Sequence, residues 1–328
     1  MKSVFPLAAW LALSLGIAAP LGATAQPLTI RVRDTGYVRL SEWARWQGLT
    51  WRWLRRDESF QLTNRSTRLQ FTVDSREARI NGLQVWLLYP LASRAGEIYL
   101  AQIDVDATLL PLLSPVRPAP DRKLRTICLD PGHGGKDPGN RLPGRQEKDY
   151  TLRLAFELRD QLKRAGFKVV FTRSSDKFIE LSDRPELARR AGADLFVSLH
   201  FNGTDGARAE ARGPEVYCLT PAGAASTNAR GEGARTGAFP GNRANGRNLL
   251  LAYEIQKSLV RQLQSGDRGV RRARFEVLRG AAMPAVLIEA GFLSHPEEGK
   301  RIFTVEYRRQ IARAITAGIQ SYRKLVER

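Results

Sequence analysis

The sequence predicts an α/β fold, a mostly parallel sheet with helices on both faces, preceded by a small α+β domain. Three observations lead there. From residue 125 onward, short apolar runs alternate with long helical periods, the pattern of a parallel sheet covered on both sides. Upstream of 115 the apolar runs are short and divided by turn residues, with Asn81-Gly82 a strong hairpin signal. Between the two lie Pro111, Pro115, Pro118 and Pro120 among polar and charged neighbours, so residues 116–124 read as a semi-rigid proline-rich link. At roughly 100 to 200 residues per domain, 328 residues suit two units, and a hydrophobic fraction of 43% excludes a wholly disordered chain.

Met1 and Lys2 lead into an apolar run over 4–19, and Ala23-Thr24-Ala25 has the small residues of a cleavage site. Residues 1–25 therefore read as a secretory signal peptide, with the mature chain starting near Gln26. A retained anchor is the competing reading, and Pro20 opposes it by breaking the run. No later stretch offers the ~18 apolar residues that span a bilayer. The mature chain is expected to be exported to the periplasm or cell envelope without a transmembrane segment. The first cysteine is Cys128, so none stands at the cleavage site to take a lipid.

Residues 26–115 form the small α+β domain. Strand formers cluster at 28–33, 50–55, 68–73 and 83–88, and residues 40–47 suit one short helix stopped by Gly48. Trp43, Trp46, Trp51, Trp53 and Trp86 fall here, five of the six tryptophans. The spacing of Trp43 and Trp46 suits one helix face and that of Trp51 and Trp53 one strand face, as a small core requires; stacking on sugars is the alternative.

In the second unit, 125–328, strands are predicted at 126–130, 167–172, 194–199, 215–219 and 286–289. A helix over 149–165 carries Leu154, Leu158 and Leu162 on one face and stops at Gly166; another over 183–191 has Ser182 as its candidate cap. A third covers 249–263, and in the last Ile311, Ile315, Ile319 and Tyr322 share a face. The stretch 204–248 is rich in Gly, Ala, Arg and Asn. A connection that long reads as a lid, a peptide-binding rim or a flexible loop, and the absence of a helical period over 222–245 argues against a helical plug.

Fifty-two Lys and Arg against 33 Asp and Glu leave a net charge of +19. In an exported chain such a surface meets anionic wall polymers and peptide carboxylates first, and no RNP-type or zinc-finger pattern points to nucleic acid. Cys128 and Cys218 are too few for a disulfide scaffold or a Cys-rich zinc site and are expected free and buried. Any metal must then use carboxylates and the three histidines, His133, His200 and His295.

Functional residues of an open α/β sheet gather beyond the C-terminal ends of its strands. His133 follows the first predicted strand of the second unit in a glycine-rich turn, and His200 directly ends the strand 194–199. Glu147 opens the helix after the first loop, and Glu289 ends the strand 286–289. All four converge on one place. Two imidazoles and one carboxylate make a catalytic zinc set, leaving a fourth position for a water whose pKa falls to about 7. A hydrolase then needs one more carboxylate to carry a proton to the leaving amine, and Glu289 fits. His295, in a loop six residues beyond, is expected at the surface or behind the ligands.

These residues resemble the zinc-dependent N-acetylmuramoyl-L-alanine amidases of bacterial cell walls, amidase type 3. The match runs through Leu129-Asp130-Pro131-Gly132-His133-Gly134-Gly135, Glu147-Lys148, Leu195-Phe196-Val197-Ser198-Leu199-His200-Phe201-Asn202 and Met283-Pro284-Ala285-Val286-Leu287-Ile288-Glu289-Ala290-Gly291-Phe292-Leu293-Ser294. Ala290 and His295 stand where the family often has Gly and Asn, and Phe201-Asn202-Gly203 replaces smaller residues. The resemblance implies a phosphorylase/hydrolase-like fold, zinc on His133, Glu147 and His200, Glu289 as acid/base, and peptidoglycan as substrate. In relatives an insertion in this neighbourhood can cover the zinc until a partner lifts it, so a lid released by a protein activator is one reading of 204–248, beside the rim and the plain loop. The hairpin at Asn81-Gly82, the run Ile98-Tyr99-Leu100 and the helix-like 103–112 resemble the small N-terminal domain type named from copper amine oxidases, which implies targeting or spacing. Asn202, Arg184 and Arg279 are candidate substrate contacts, the arginines for stem-peptide carboxylates, and a monomer is expected. A zinc peptidase acting on wall peptides and a non-catalytic wall-binding protein are the alternatives.

Overall fold

The computed structural model describes residues 28–32, 34–115, 123–204, 211–228 and 237–327. The expected signal peptide, and the expected link apart from 123 and 124, lie outside the described residues.

Four strands form the parallel heart of the main sheet, in the order Lys168–Phe171, Thr126–Pro131, Leu195–Asn202, Ala285–Phe292. They are apolar runs because both faces are covered. Glu215–Leu219 then pairs antiparallel with Ala285–Phe292, and Val270–Ala273 runs parallel to Glu215–Leu219, so one reversal interrupts the otherwise parallel strands of the second unit. The covering is uneven. Glu147–Arg164, Asn245–Leu263 and Val305–Val326 pack on each other and on one face, while the short Asp183–Arg190 and Glu276–Arg279 cover the other.

Several boundaries differ from the sequence reading. The helix expected over 149–165 opens at Glu147, as its placement at the helix start required, and the one expected at 249 starts earlier, at Asn245 after a 3-10 turn, Pro240–Ala244. Ser182 caps nothing: its own backbone is helical, at φ −65° and ψ −30°, and its side chain makes no capping bond. The described parts of 204–248 belong to the framework rather than to one loose loop. Glu215–Leu219 is buried throughout, and Asn242 Nδ2 donates to Thr220 O at 2.9 Å. Cys128 and Cys218 are free and buried, as expected.

The small domain holds a four-stranded sheet and a meander. The sheet runs Thr29–Val32, Thr35–Arg39, Glu97–Ala101, Ala92–Arg94, with the helix Leu40–Trp46 against it. The meander runs from Thr50–Arg55 through Ser59–Thr63, Arg68–Thr72 and Glu77–Ile80 to Leu83–Trp86. Asn81 and Gly82 turn the last hairpin with φ +50° and +86°, the left-handed pair that this turn requires. Trp51 stacks on Phe60 at 4.0 Å between ring centroids and Trp43 is buried, whereas Trp46 is exposed. Trp43 is therefore core, Trp51 and Trp53 are half-buried against it, and Trp46 and Trp86 stand outside it.

The small domain is not tethered at a distance. Val85 pairs with Val270, so the meander extends the main sheet to eleven strands. Gln84 N donates to Asp267 Oδ2 at 2.8 Å, and Tyr253 Oη donates to Ile80 O at 2.8 Å.

Candidate active site

The C-terminal ends of the Thr126–Pro131, Leu195–Asn202 and Ala285–Phe292 strands open onto one cleft of about 410 Å³. His133, Glu147, His200 and Glu289 line it, with Asp137, Asn140, Phe201, Phe275 and Glu276 around them. A larger hollow of about 560 Å³, walled by Leu110, Pro111, Arg243 and Leu250, contains no histidine.

Glu147 Oε1 lies 3.1 Å from both His133 Nε2 and His200 Nδ1. One donor atom from each residue falls within 4.8 Å of the others, and this is the candidate metal cluster among the described residues. Two of the donors, His133 and Glu147, are fixed from behind. Asp137 Oδ2 stands 2.8 Å from His133 Nδ1, which leaves Nε2 facing the cleft. Asn140 donates to Glu147 Oε2 from its backbone N at 3.0 Å and its Nδ2 at 2.8 Å, and Phe201 N donates to Oε1 at 3.1 Å.

Gly132 in the first motif and Gly139 beyond it make this convergence possible. A Cβ at Gly132 would run into the His200 imidazole, and one at Gly139 would sit 2.5 Å from His133 Cδ2. His133 itself takes a left-handed backbone, φ +61°, a conformation retained only where the surroundings impose it. Two buried guanidinium groups impose it here. Arg173 donates to Pro131 O at 2.9 Å and Gly132 O at 2.8 Å; Arg184 donates to Pro131 O at 3.1 Å and His133 O at 3.0 Å.

Burial pushes the Glu147 carboxyl up, but hydrogen bonds from His133 and His200 outweigh it and hold the group well below the usual carboxylate range. Burial pulls the His133 imidazole down, and the Glu147 and Asp137 carboxylates more than reverse this. For Glu289 nothing compensates: burial, then the nearby Glu147 and Glu215 charges, push its carboxyl well above the ordinary range. Its Oε2 is sealed from solvent with no hydrogen-bond partner among the described residues.

Three residues expected to meet substrate are otherwise engaged. Arg184 is 1% exposed, pairs with Asp130 Oδ1 at 3.0 Å and binds backbone carbonyls with its other donors, so it holds the His133 turn. Arg279 donates to Arg274 O at 2.7 Å and pairs with Glu276 at 2.9 Å. Asn202 Nδ2 donates to Glu215 Oε1 at 2.8 Å. His295 is buried, and its Nδ1 caps the helix Pro296–Ile302 by accepting from Glu297 N and Glu298 N at 3.2 and 3.1 Å. Asp137, Asn140 and Glu215 went unnoticed in the sequence. Only Asp137 carried a signal there, as an acid four residues beyond a candidate ligand histidine.

The family model described as N-acetylmuramoyl-L-alanine amidase matches residues 127–321, more than half of the chain. The chain belongs to this amidase family. AmiC of Neisseria meningitidis, an N-acetylmuramoyl-L-alanine amidase, is 37% identical over 218 residues, covering 60% of this chain and 52% of that protein. The amidase AmiA of Escherichia coli is 35% identical over 221 residues, covering 60% of this chain and 76% of its own length. Among solved structures, the amidase AmiC2 of Nostoc punctiforme superposes with a TM-score of 0.51 at 33% identity, over 60% of this chain and 96% of that one. As a member of the amidase family the chain is an amide hydrolase, and the family is metal-dependent. No helix among the described residues is long and apolar enough to cross a membrane.

Proposed function

We propose that His133, Glu147 and His200 hold a zinc ion and that Glu289 is the acid/base of the family's reaction. That reaction hydrolyses the amide joining the lactyl group of N-acetylmuramic acid to the first L-alanine of the peptidoglycan stem peptide. The donor set fits the metal. Two imidazole nitrogens and a carboxylate oxygen are the ligand types of a three-residue catalytic zinc site, and their tight convergence on Glu147 Oε1 is the observation that carries the reading. When bound, zinc would supply Lewis-acid polarisation of the carbonyl and activation of a water.

The chain's own residues do the rest. Glu289 faces the same cleft with an orphaned oxygen, so it is placed to accept a proton from the attacking water. It returns that proton to the alanine nitrogen as the C–N bond breaks, leaving a muramic acid carboxylate and a free α-amine. Asp137 fixes the His133 tautomer, and Asn140 with Phe201 N fixes Glu147. Action on the cell wall places the protein in the periplasm or cell envelope.

The test is digestion of purified peptidoglycan with and without added zinc, beside Glu289→Gln, with mass analysis of the products. Stem peptides bearing a free N-terminal L-alanine, absent with Glu289→Gln although zinc still binds, are the expected result. Cleavage inside the peptides would make the chain a peptidase, and full activity of Glu289→Gln would remove Glu289 from its role.

A further inference from the structure

Glu215 is a buried carboxylate that the proposed reaction leaves unused, and it lies at the meeting point of three elements. In the antiparallel pairing of Glu215–Leu219 with Ala285–Phe292 it stands directly opposite Glu289. Its Oε1 accepts from Asn202 Nδ2 at 2.8 Å, two residues beyond His200, and from Tyr217 Oη at 3.0 Å. Its Oε2 meets Arg268 Nε at 3.2 Å and lies 2.8 Å from Arg271 Nε, a close charge contact rather than an aligned hydrogen bond. The Arg268 guanidinium also rests on the Phe292 ring, 4.8 Å from its centroid, at the end of the Glu289 strand.

Both arginines are gripped by the small domain, at one residue. Trp86 Nε1 donates to Arg268 O at 3.0 Å, and the Arg271 guanidinium lies 4.4 Å from the centroid of the Trp86 ring. Trp86 ends the strand that joins the two parts of the sheet through the Val85–Val270 pair. A buried carboxylate is tolerated only while its counter-charges stay in place. Moving the two guanidinium groups would leave Glu215 uncompensated between Asn202 and Glu289, and the strands carrying His200 and Glu289 would have to shift in response.

We propose that Glu215 is a positioning residue for the Glu289 strand, and that Trp86 keeps it in place through Arg268 and Arg271. The small domain is then a working part of the catalytic apparatus in addition to any address it carries. This rests on the reading of Glu289 as the acid/base.

The test uses the full-length, zinc-loaded protein and a soluble N-acetylmuramoyl tripeptide, a substrate too small to need wall targeting. Trp86→Ala and Glu215→Gln are each expected to lower kcat about tenfold. KM and zinc affinity, the latter measured by chelator competition, should stay within about twofold. The double variant should be no slower than the worse single one, because both act through one linkage. Trp86→Phe, which keeps a ring beneath Arg271, should restore most of the rate. Amide hydrogen exchange over 285–292 should quicken about tenfold in Trp86→Ala.

A wild-type rate together with unchanged exchange in Trp86→Ala overturns the proposal, as do multiplicative losses in the double variant. If Trp86→Ala does not fold, Glu215→Gln decides, since its remaining oxygen still serves Asn202 and Tyr217. If the wild type releases no alanine-terminated peptide while exchange still responds to Trp86→Ala, the linkage stands and the amidase reading fails. If the wild type is active and neither quantity responds, the linkage fails alone.

Discussion

Asp137 Oδ2 sits 2.8 Å from His133 Nδ1, and the same carboxylate accepts Gly139 N at 3.1 Å through Oδ1. The residue thus ties the ring of one candidate ligand to the turn that leads to Glu147. Asp137→Ala is expected to weaken zinc binding about 10- to 100-fold while the protein stays folded, checked by chelator competition and a thermal melt. Asp137→Asn should fall between, because its amide oxygen can still accept from Nδ1–H.

Gly132 is required for space. A methyl group there would overlap the His200 imidazole, and that ring is tied to Glu147 through Nδ1 at 3.1 Å. Gly132→Ala should displace a ligand by a fraction of an ångström or more and reduce hydrolysis about 100-fold. Zinc content by elemental analysis, beside a far-ultraviolet spectrum showing an intact fold, distinguishes this from unfolding.

Asp104 provides a pH dependence remote from the cleft. It is fully buried, and it accepts from Leu88 N at 2.9 Å, Tyr89 N at 3.0 Å and Thr108 Oγ1 at 2.9 Å. Burial nevertheless raises its carboxyl from 3.8 to about 6. Between those values the folded state holds the proton more tightly than the unfolded one, so stability from this group is greatest in acid and is lost as pH rises toward 6. The loss amounts to roughly 3 kcal/mol. Urea unfolding at pH 4, 5, 6 and 7 should show wild type losing about that much relative to Asp104→Asn across the window; a pH-independent difference would refute it.

The two parts of the chain should not separate cleanly. Removing residues up to 124 bares the Val270–Ala273 edge and strips Tyr253 Oη and Arg272 of their partners at Ile80 O and Ala107 O. The remaining fragment is expected to melt about 10 °C lower or more, or to aggregate, by calorimetry and light scattering.

Most of the cleft was legible in the sequence because its chemistry uses rare residue types in fixed local settings. With three histidines in the chain, one in a glycine-rich turn and one at a strand end, few arrangements were open. Periodicity located the long helices for the same local reason, as Leu154, Leu158 and Leu162 show. The arginines misled, since a guanidinium reads alike whether it greets a substrate carboxylate or, like Arg184, closes a buried turn through Asp130 and backbone carbonyls. Ser182 misled because its helix begins from backbone that is already helical.

The sequence by itself determined the long helices and central strands of the second unit, the four residues that line the cleft and the family resemblance their motifs carry, while the strands Thr35–Arg39, Ser59–Thr63, Ala92–Arg94 and Val270–Ala273 escaped it. Helix periods and strand composition are set within single segments, and each of the four residues stands in a short motif that can be read locally. Only the tertiary structure decided that the small domain extends the main sheet, and that the paired Glu215 and the unpaired Glu289 carboxylates face one another across two strands. Burial and pairing depend on which distant segments share a space, so one strand can carry a neutralised carboxylate and its neighbour an orphaned one with no local mark of the difference.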